Sequence, residues 1–204
     1  MGIPVETATQ RIRAERSKPT PAAKAAYNQK CSMWELETRL AVNFGSQDHV
    51  ITFTYDDHHL PRNKNVGGFL FHRFIRVLRD IRRKRGENLK YIFVTEGFHE
   101  RREGDGDLEN GRIHHHAVIN AVGPGDLDEL RSLWLWQFGG YLRAERFGDY
   151  GCSALAAYLT KEAREFGRQK PGERTWRASL TCQKAAPALI VGNENGQLVA
   201  KERG

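Results

Sequence analysis

Two histidines on one side of a β-run make a pair of metal ligands, and the stretch Gly111-Arg112-Ile113-His114-His115-His116-Ala117-Val118-Ile119-Asn120 supplies them. Side chains alternate along a strand, so His114 and His116 project one way and His115 the other. The apolar Ala117-Val118-Ile119 anchors the run in a sheet, which gives the ligands the rigid support a precise site requires. A third ligand is expected. The nearest candidate is Glu96, which ends the apolar run Tyr91-Ile92-Phe93-Val94-Thr95-Glu96 on the same side as Ile92 and Val94. If the two runs pair antiparallel, Glu96 reaches the histidine pair. Two nitrogens and an oxygen fit manganese, magnesium shared with a substrate phosphate, or zinc. The plain alternative makes the histidines hydrogen-bonded strand residues and Glu96 a strand-end carboxylate; His115 is read that way in either case.

A second pair lies downstream, where Tyr158 and Lys161 are three apart on a helical pattern and so share a face. A phenol with an ordinary pKa near 10 is a poor nucleophile at neutral pH. An adjacent ammonium favours the phenolate and offsets charge on an attacked phosphate. Tyr-x-x-Lys on its own is common, and taken alone it is better explained as a half-buried helix tyrosine beside a surface lysine.

The elements that must hold these residues can be read from periodicity. A helix is expected from Ser32, as N-cap with Glu35 at the capping-box position, burying Met33, Trp34, Leu36, Leu40 and Phe44. Val50 to Tyr55 alternates as a strand ending at Asp56-Asp57, followed by a loop through His58, His59 and Asn63. Gly68 to Arg85 is strongly amphipathic: Leu70, Phe71, Phe74, Val77, Leu78 and Ile81 form one face, while Arg73, Arg76, Arg79, Arg82, Arg83, Lys84 and Arg85 fill the rest. That cationic face is either solvated or a phosphate-binding surface. The long connection Gly97 to Gly111 faintly resembles a calcium loop in its acidic spacing, but its glycine is displaced, so a solvated turn, able to clamp a substrate, is expected. Asp126 opens a helix with Leu127, Leu130, Leu133, Trp134 and Phe138, stopped by Gly139-Gly140; Tyr141 to Phe147 is a short strand or extended connection. Ser153 starts a helix ending near Gly167. A basic, turn-rich stretch with Arg174 and Trp176 follows, then a hairpin from Ala188–Val191 and Gln197–Ala200. This divides the chain into a flexible basic arm, 1–28, a main domain, 29–182, and a tail or hairpin, 183–204.

Composition narrows the partners. A net charge of +7 over 204 residues favours a polyanion such as nucleic acid. Cys31, Cys152 and Cys182 form no C-x-x-C pair and are odd in number, which points to a reducing compartment. No apolar run approaches the roughly 20 residues that span a bilayer, and no secretory signal is visible, so a cytoplasmic protein with no membrane contact is expected. The absence of a G-x-x-x-x-G-K loop excludes an ATP-driven motor from this sequence.

Taken in order, these motifs resemble those of the HUH endonucleases, specifically the rolling-circle replication initiators of phages and plasmids. Ile51-Thr52-Phe53-Thr54-Tyr55 is similar to their first motif, an apolar strand with threonines. His114-His115-His116 is similar to their His-hydrophobic-His motif, with histidine in place of the aliphatic residue. Tyr158-Leu159-Thr160-Lys161 matches their Tyr-x-x-Lys helix. The resemblance implies an α+β fold, an antiparallel β-sheet flanked by helices (RRM-like), with the histidine strand central and the tyrosine helix across it. It implies that His114, His116 and Glu96 hold Mn²⁺ or Mg²⁺ against a scissile phosphate in single-stranded origin DNA. Tyr158 then attacks to give a 5′-phosphotyrosine and a free 3′-hydroxyl for a host polymerase, with a host helicase as further partner, and Lys161 positions the phosphate or balances charge. Only one nucleophile is expected, because positions 154 and 162 hold Ala and Glu where a two-tyrosine version has its second; Tyr150 is too distant and is read as structural. Arg112, Arg76, Arg83, Arg174 and Trp176 are the expected DNA contacts. Relaxases and single-tyrosine transposases share the histidine pair. Two rivals differ in class: a non-catalytic DNA-binding replication or transcription regulator working through the basic helix, and a metal-dependent nuclease that uses water.

Overall fold

A computed structural model describes residues 21–97, 99–100, 109–110, 112–165, 174–184, 189–192 and 198–201. Five strands form one antiparallel sheet in the order β6-β1-β5-β2-β7: β1 (His49–Thr54), β2 (Tyr91–Glu96), β5 (His114–Ile119), β6 (Leu142–Arg146) and β7 (Arg177–Ala178). Two short pairs stand apart, β3 (His99–Glu100) with β4 (Glu109–Asn110), and the expected tail hairpin, β8 (Leu189–Gly192) with β9 (Leu198–Lys201). The helices are α1 (Pro21–Asn43), α2 (Lys64–Lys84), α3 (Asp126–Phe138), α4 (Cys152–Leu159) and α5 (Lys161–Glu165). This is the expected α+β arrangement of an antiparallel sheet flanked by helices.

Alternation along the strands builds two cores, one on each face. Ile51, Phe53, Tyr55, Phe93, Ala117 and Ile119 pack with Phe71, Phe74 and Leu78 of α2 and Leu130, Trp134 and Phe138 of α3. Edge-on aromatic contacts knit this side: Phe53 lies 5.2 Å from Phe71, 5.3 Å from Phe74 and 4.9 Å from Trp134. On the other face Val50, Ile92, Val94 and Val118 pack with Leu36, Leu40 and Phe44 of α1 and Leu155, Ala156 and Leu159 of α4. The histidine strand, β5, is the middle strand of the sheet, paired with β1 and β2.

Five expectations need correction. Helix α1 begins at Pro21, so Ser32 lies inside it and is not its N-cap. Residues 23–28 are exposed, and their Ala-rich sequence forms helix by intrinsic propensity, which leaves no apolar periodicity to read. Trp34 is 49% exposed, off the buried line of Leu36, Leu40 and Phe44. On α2, which starts at Lys64 behind the Asn63 cap, Arg82 is fully buried and leaves the cationic face: its Nη1 donates to the Asn120 carbonyl and side-chain oxygens at the end of β5. The helix expected from Ser153 is broken at Thr160, whose hydroxyl and N–H both bond back to the Ala156 carbonyl, at 2.8 and 3.1 Å. Residues 21–28 of the expected flexible arm 1–28 are helical, and most of the 97–111 connection, residues 1–20 of that arm and residues 166–173 lie outside the described residues. Among the described residues no helix is long and apolar enough to cross a membrane.

Candidate metal centre

The register of the sheet assembles the centre. Glu96 of β2 stands opposite His114 of β5, and His114 in turn stands opposite Thr54 of β1; one step along, His116 lies between Val94 and Thr52. All of these residues except Val94 are polar, and they occupy the end of the face on which α4 packs. His114 Nε2 and His116 Nε2 are 3.2 Å apart, and each is 3.5 Å from Glu96 Oε2. The three donor atoms lie within 4.8 Å of one another.

Hydrogen bonds behind the rings orient them. The Arg112 carbonyl can only accept, so a neutral His114 donates Nδ1–H to it at 3.0 Å and turns the Nε2 lone pair to the centre. The same tautomer of His116 lets Nδ1–H donate to Thr52 Oγ1, also at 3.0 Å. Such partners behind a ring are what fixes metal-binding imidazoles.

Glu96 shows that the residues fit a cation. It is 2% exposed, and neither carboxylate oxygen accepts a hydrogen bond of ordinary geometry. Burial pushes this carboxyl up, but hydrogen bonding and charge from His114 and His116 when their Nε2 carries a proton, together with the Lys161 ammonium 3.6 Å away, outweigh it and hold the group at about 2. A buried, ionised carboxylate with unsatisfied oxygens facing two imidazole lone pairs is costly without a partner, and a divalent metal satisfies all three donors. The triad can hold one.

The tyrosine helix closes over this group. The Tyr158 hydroxyl lies 3.3 Å from His116 Nε2, and Lys161 Nζ stands 4.2 Å from the centre of the Tyr158 ring. The break at Thr160 therefore leaves Tyr158 and Lys161 on neighbouring helices but against the same ligands.

The family described as replication-associated protein ORF2/G2P matches residues 48–163, more than half of the chain. The chain belongs to that family. No curated protein and no solved structure matches it. The family match begins just before β1 and ends within α5, so the matched segment in this replication-associated protein contains the whole triad together with Tyr158 and Lys161. The family-level resemblance drawn from the three motifs is thereby met.

The other residues singled out by sequence do not converge. Arg112 is adjacent to the centre, but its guanidinium reaches Asp57 and the Tyr55 carbonyl. Arg76 and Arg83 project from α2, on the opposite face of the sheet. Arg174 is exposed, whereas Trp176 is packed: its indole N–H donates to Ser32 at 3.1 Å and Arg39 lies 5.2 Å from its ring. Tyr150 packs against the α1/α4 core and bonds Glu145 through its hydroxyl.

His115 does what its opposite orientation implies. It is fully buried on the α2 side, stacked 4.4 Å from Phe71, with its nitrogens bonded to the Tyr55 hydroxyl at 2.7 Å and Thr95 Oγ1 at 2.9 Å. Burial, reinforced by His114, His116 and His72, holds it well below 6.5. Because the unfolded chain binds the proton that the folded site refuses, His115 lowers stability as pH falls below about 6.5. Glu96 acts in the same direction lower down, its contribution present above 4.5 and lost as pH falls toward 2. Urea unfolding of the metal-free protein is expected to show stability falling by up to about 1.4 kcal/mol per pH unit from His115 alone below its ordinary range, and a shallower slope there in His115→Gln. Equal slopes in the two proteins would contradict this.

Sequence reasoning missed one residue beside the centre. Glu162 is buried; its Oε2 accepts the N–H of Gly97, the residue after Glu96, at 2.8 Å, and its Oε1 pairs with Lys64 of α2. It ties the end of β2 to α5 and α2 and so holds Glu96 in place. Its only signal was an acidic residue next to Lys161 at a position otherwise compared with a tyrosine. Glu162→Ala leaves Gly97 N–H and Lys64 without their acceptor and is expected to cost about 1–3 kcal/mol in urea unfolding, with weaker metal binding. An unchanged unfolding midpoint would show that the tie is dispensable.

Proposed function

We propose that this replication-associated protein nicks single-stranded DNA at a replication origin by attack of Tyr158 on a phosphate held at Glu96, His114 and His116. The observation that carries the reading is the Tyr158 hydroxyl, 3.3 Å from His116 Nε2 with Lys161 over its ring, beside a triad whose buried carboxylate accepts no hydrogen bond of ordinary geometry. A bound Mn²⁺ or Mg²⁺ would polarise the phosphate and offset its charge. The Tyr158 oxygen bonds to phosphorus as the bond from phosphorus to the 3′-oxygen breaks. The phenolic proton is lost, and the departing 3′-oxygen gains one. The products are a 5′-phosphotyrosine and a free 3′-hydroxyl. The phosphotyrosine keeps the energy of the broken phosphodiester, so attack by a 3′-hydroxyl reverses the step without ATP. Lys161 balances the charge that gathers on the attacked phosphate. Thr52 and Arg112 keep the rings turned to it, and Glu162 fixes the strand that carries Glu96. Arg112, whose carbonyl meets His114 Nδ1, is assigned to the substrate strand; Arg76, Arg83 and Arg174 serve DNA that continues over other faces, and Trp176 contributes through the packing of α1. The 3′ end suits a host polymerase, with a host helicase opening the duplex ahead.

The test is covalent capture. Protein with Mn²⁺ and a randomised pool of single-stranded DNA is expected to give a denaturant-stable adduct on a gel. Cleavage without any adduct would favour water as nucleophile, and binding without cleavage would favour a non-catalytic regulator.

A further inference from the structure

Helices α1 and α4 cover only part of their face of the sheet. Toward the open edge, Thr52 and Thr54 of β1 are half-buried, and Tyr141 and Arg143 stand clear, Tyr141 at 72% and the Arg143 side chain at 79% exposure. Sheet register lines both up with the metal ligands. Arg143 pairs with Thr52, which pairs with His116. Tyr141 continues that ladder: its carbonyl accepts the N–H and the hydroxyl of Thr54, each at 3.0 Å, and Thr54 pairs with His114. Opposed residues share a face, and Leu142 and Ala144, which alternate with them, pack into the α2/α3 core. Tyr141 and Arg143 therefore lie on the side of His114 and His116, two strand spacings or roughly 10 Å across the sheet.

The backbone presenting them is fixed. Gly139 takes φ +61 at the end of α3, and a Cβ on Gly140 would meet the Thr54 carbonyl at 1.8 Å, so the corner before Tyr141 lies flat on β1. Arg143 meets Glu145 at 2.9 Å in an exposed pair, which a phosphate can outcompete, and Glu145 keeps a second partner in the Tyr150 hydroxyl. A solvent-facing aromatic ring and a loosely held guanidinium on a rigid edge, in a chain of net charge +7, match a base and its phosphate.

We propose that Tyr141 and Arg143 form a shelf for the nucleotides flanking the attacked phosphate, Tyr141 stacking on an unpaired base and Arg143 bonding a backbone phosphate. The occupant is a single strand, since a paired base keeps both its faces stacked within the duplex. The proposal rests on the nicking reading above for its account of why DNA lies at the ligands.

The test uses the full chain carrying Tyr158→Phe, which holds DNA without cutting, and a fluorescein-labelled mixed-sequence single strand read by anisotropy. Adding Tyr141→Ala is expected to weaken binding about 5- to 150-fold, while Tyr141→Phe stays within about twofold. Arg143→Ala is expected to lower the slope of log affinity against log salt by about 0.7. Trp136→Ala, which removes an 80% exposed aromatic on α3, is the control and leaves affinity unchanged. The bonds of Tyr141 to Thr54 are made by its backbone, so the fold survives these changes, and unchanged melting curves verify it. Affinity unaffected by Tyr141→Ala, or lost equally for a duplex of the same sequence, overturns the shelf. Wild-type adduct formation is scored alongside. Adduct with unaffected affinity rejects the shelf and leaves nicking intact; Tyr141-dependent affinity without adduct keeps the shelf and rejects nicking.

Discussion

Tyr158→Phe abolishes covalent capture of single-stranded DNA while leaving DNA affinity within about twofold of the parent: this is the expected result of removing one oxygen atom from the centre. The ring keeps its place 5.0 Å from the His116 ring and beneath Lys161, so packing and charge are retained. Loss of a nucleophile costs on the order of 10³-fold or more in rate, far beyond what loss of a positioning contact costs. Quantifying adduct on denaturing gels against time gives the comparison. A mutant that cuts at the parental rate would assign the attack to water. One turn beyond Tyr158, where a second tyrosine could substitute, stands Glu162, tied to Gly97 and Lys64.

The second large effect concerns the triad. Titrating Mn²⁺ into the wild-type protein to about a hundredfold over its dissociation constant is expected to stabilise it by about 2.7 kcal/mol, a rise of roughly 5–10 °C in melting temperature. His116→Ala removes a donor and Glu96→Gln removes the negative charge of another, and each is expected to erase that rise at the same metal concentration, together with adduct formation. Thr52→Val leaves the donors but removes the oxygen behind His116 Nδ1, and is expected to weaken metal affinity by about 10- to 100-fold. This ordering, with donors above the residue behind them, distinguishes a metal centre from a set of structural strand histidines. If Mn²⁺ raises the melting temperature equally in wild type and Glu96→Gln, the ion binds elsewhere.

What the sequence revealed about this centre follows from what a strand dictates. Alternation alone separates His114 and His116 from His115, and the pairing of β2 with β5 brings Glu96 opposite His114, as the antiparallel reading required. Helix α3 was legible to its ends because Asp126 opens it and Gly139, in the left-handed region, closes it. The start of α1 was not, since Ala23 to Ala26 form helix without burying a face. Arg82 looked like one more surface cation in a run of them, and only its position beside Asn120 at the end of β5 takes it inside. Glu162, Tyr141 and the packing of Trp176 depend on contacts between residues far apart in the chain, which no local spacing records.

The central claim is that Tyr158 itself forms the bond to DNA. Its most direct test is mass spectrometry of the trapped adduct after nuclease trimming and proteolysis. The account predicts a nucleotide phosphate attached to the peptide that contains Tyr158, with a free 3′-hydroxyl on the released strand. Cleaved DNA carrying a free 5′-phosphate, with the Tyr158 peptide unmodified, would contradict it.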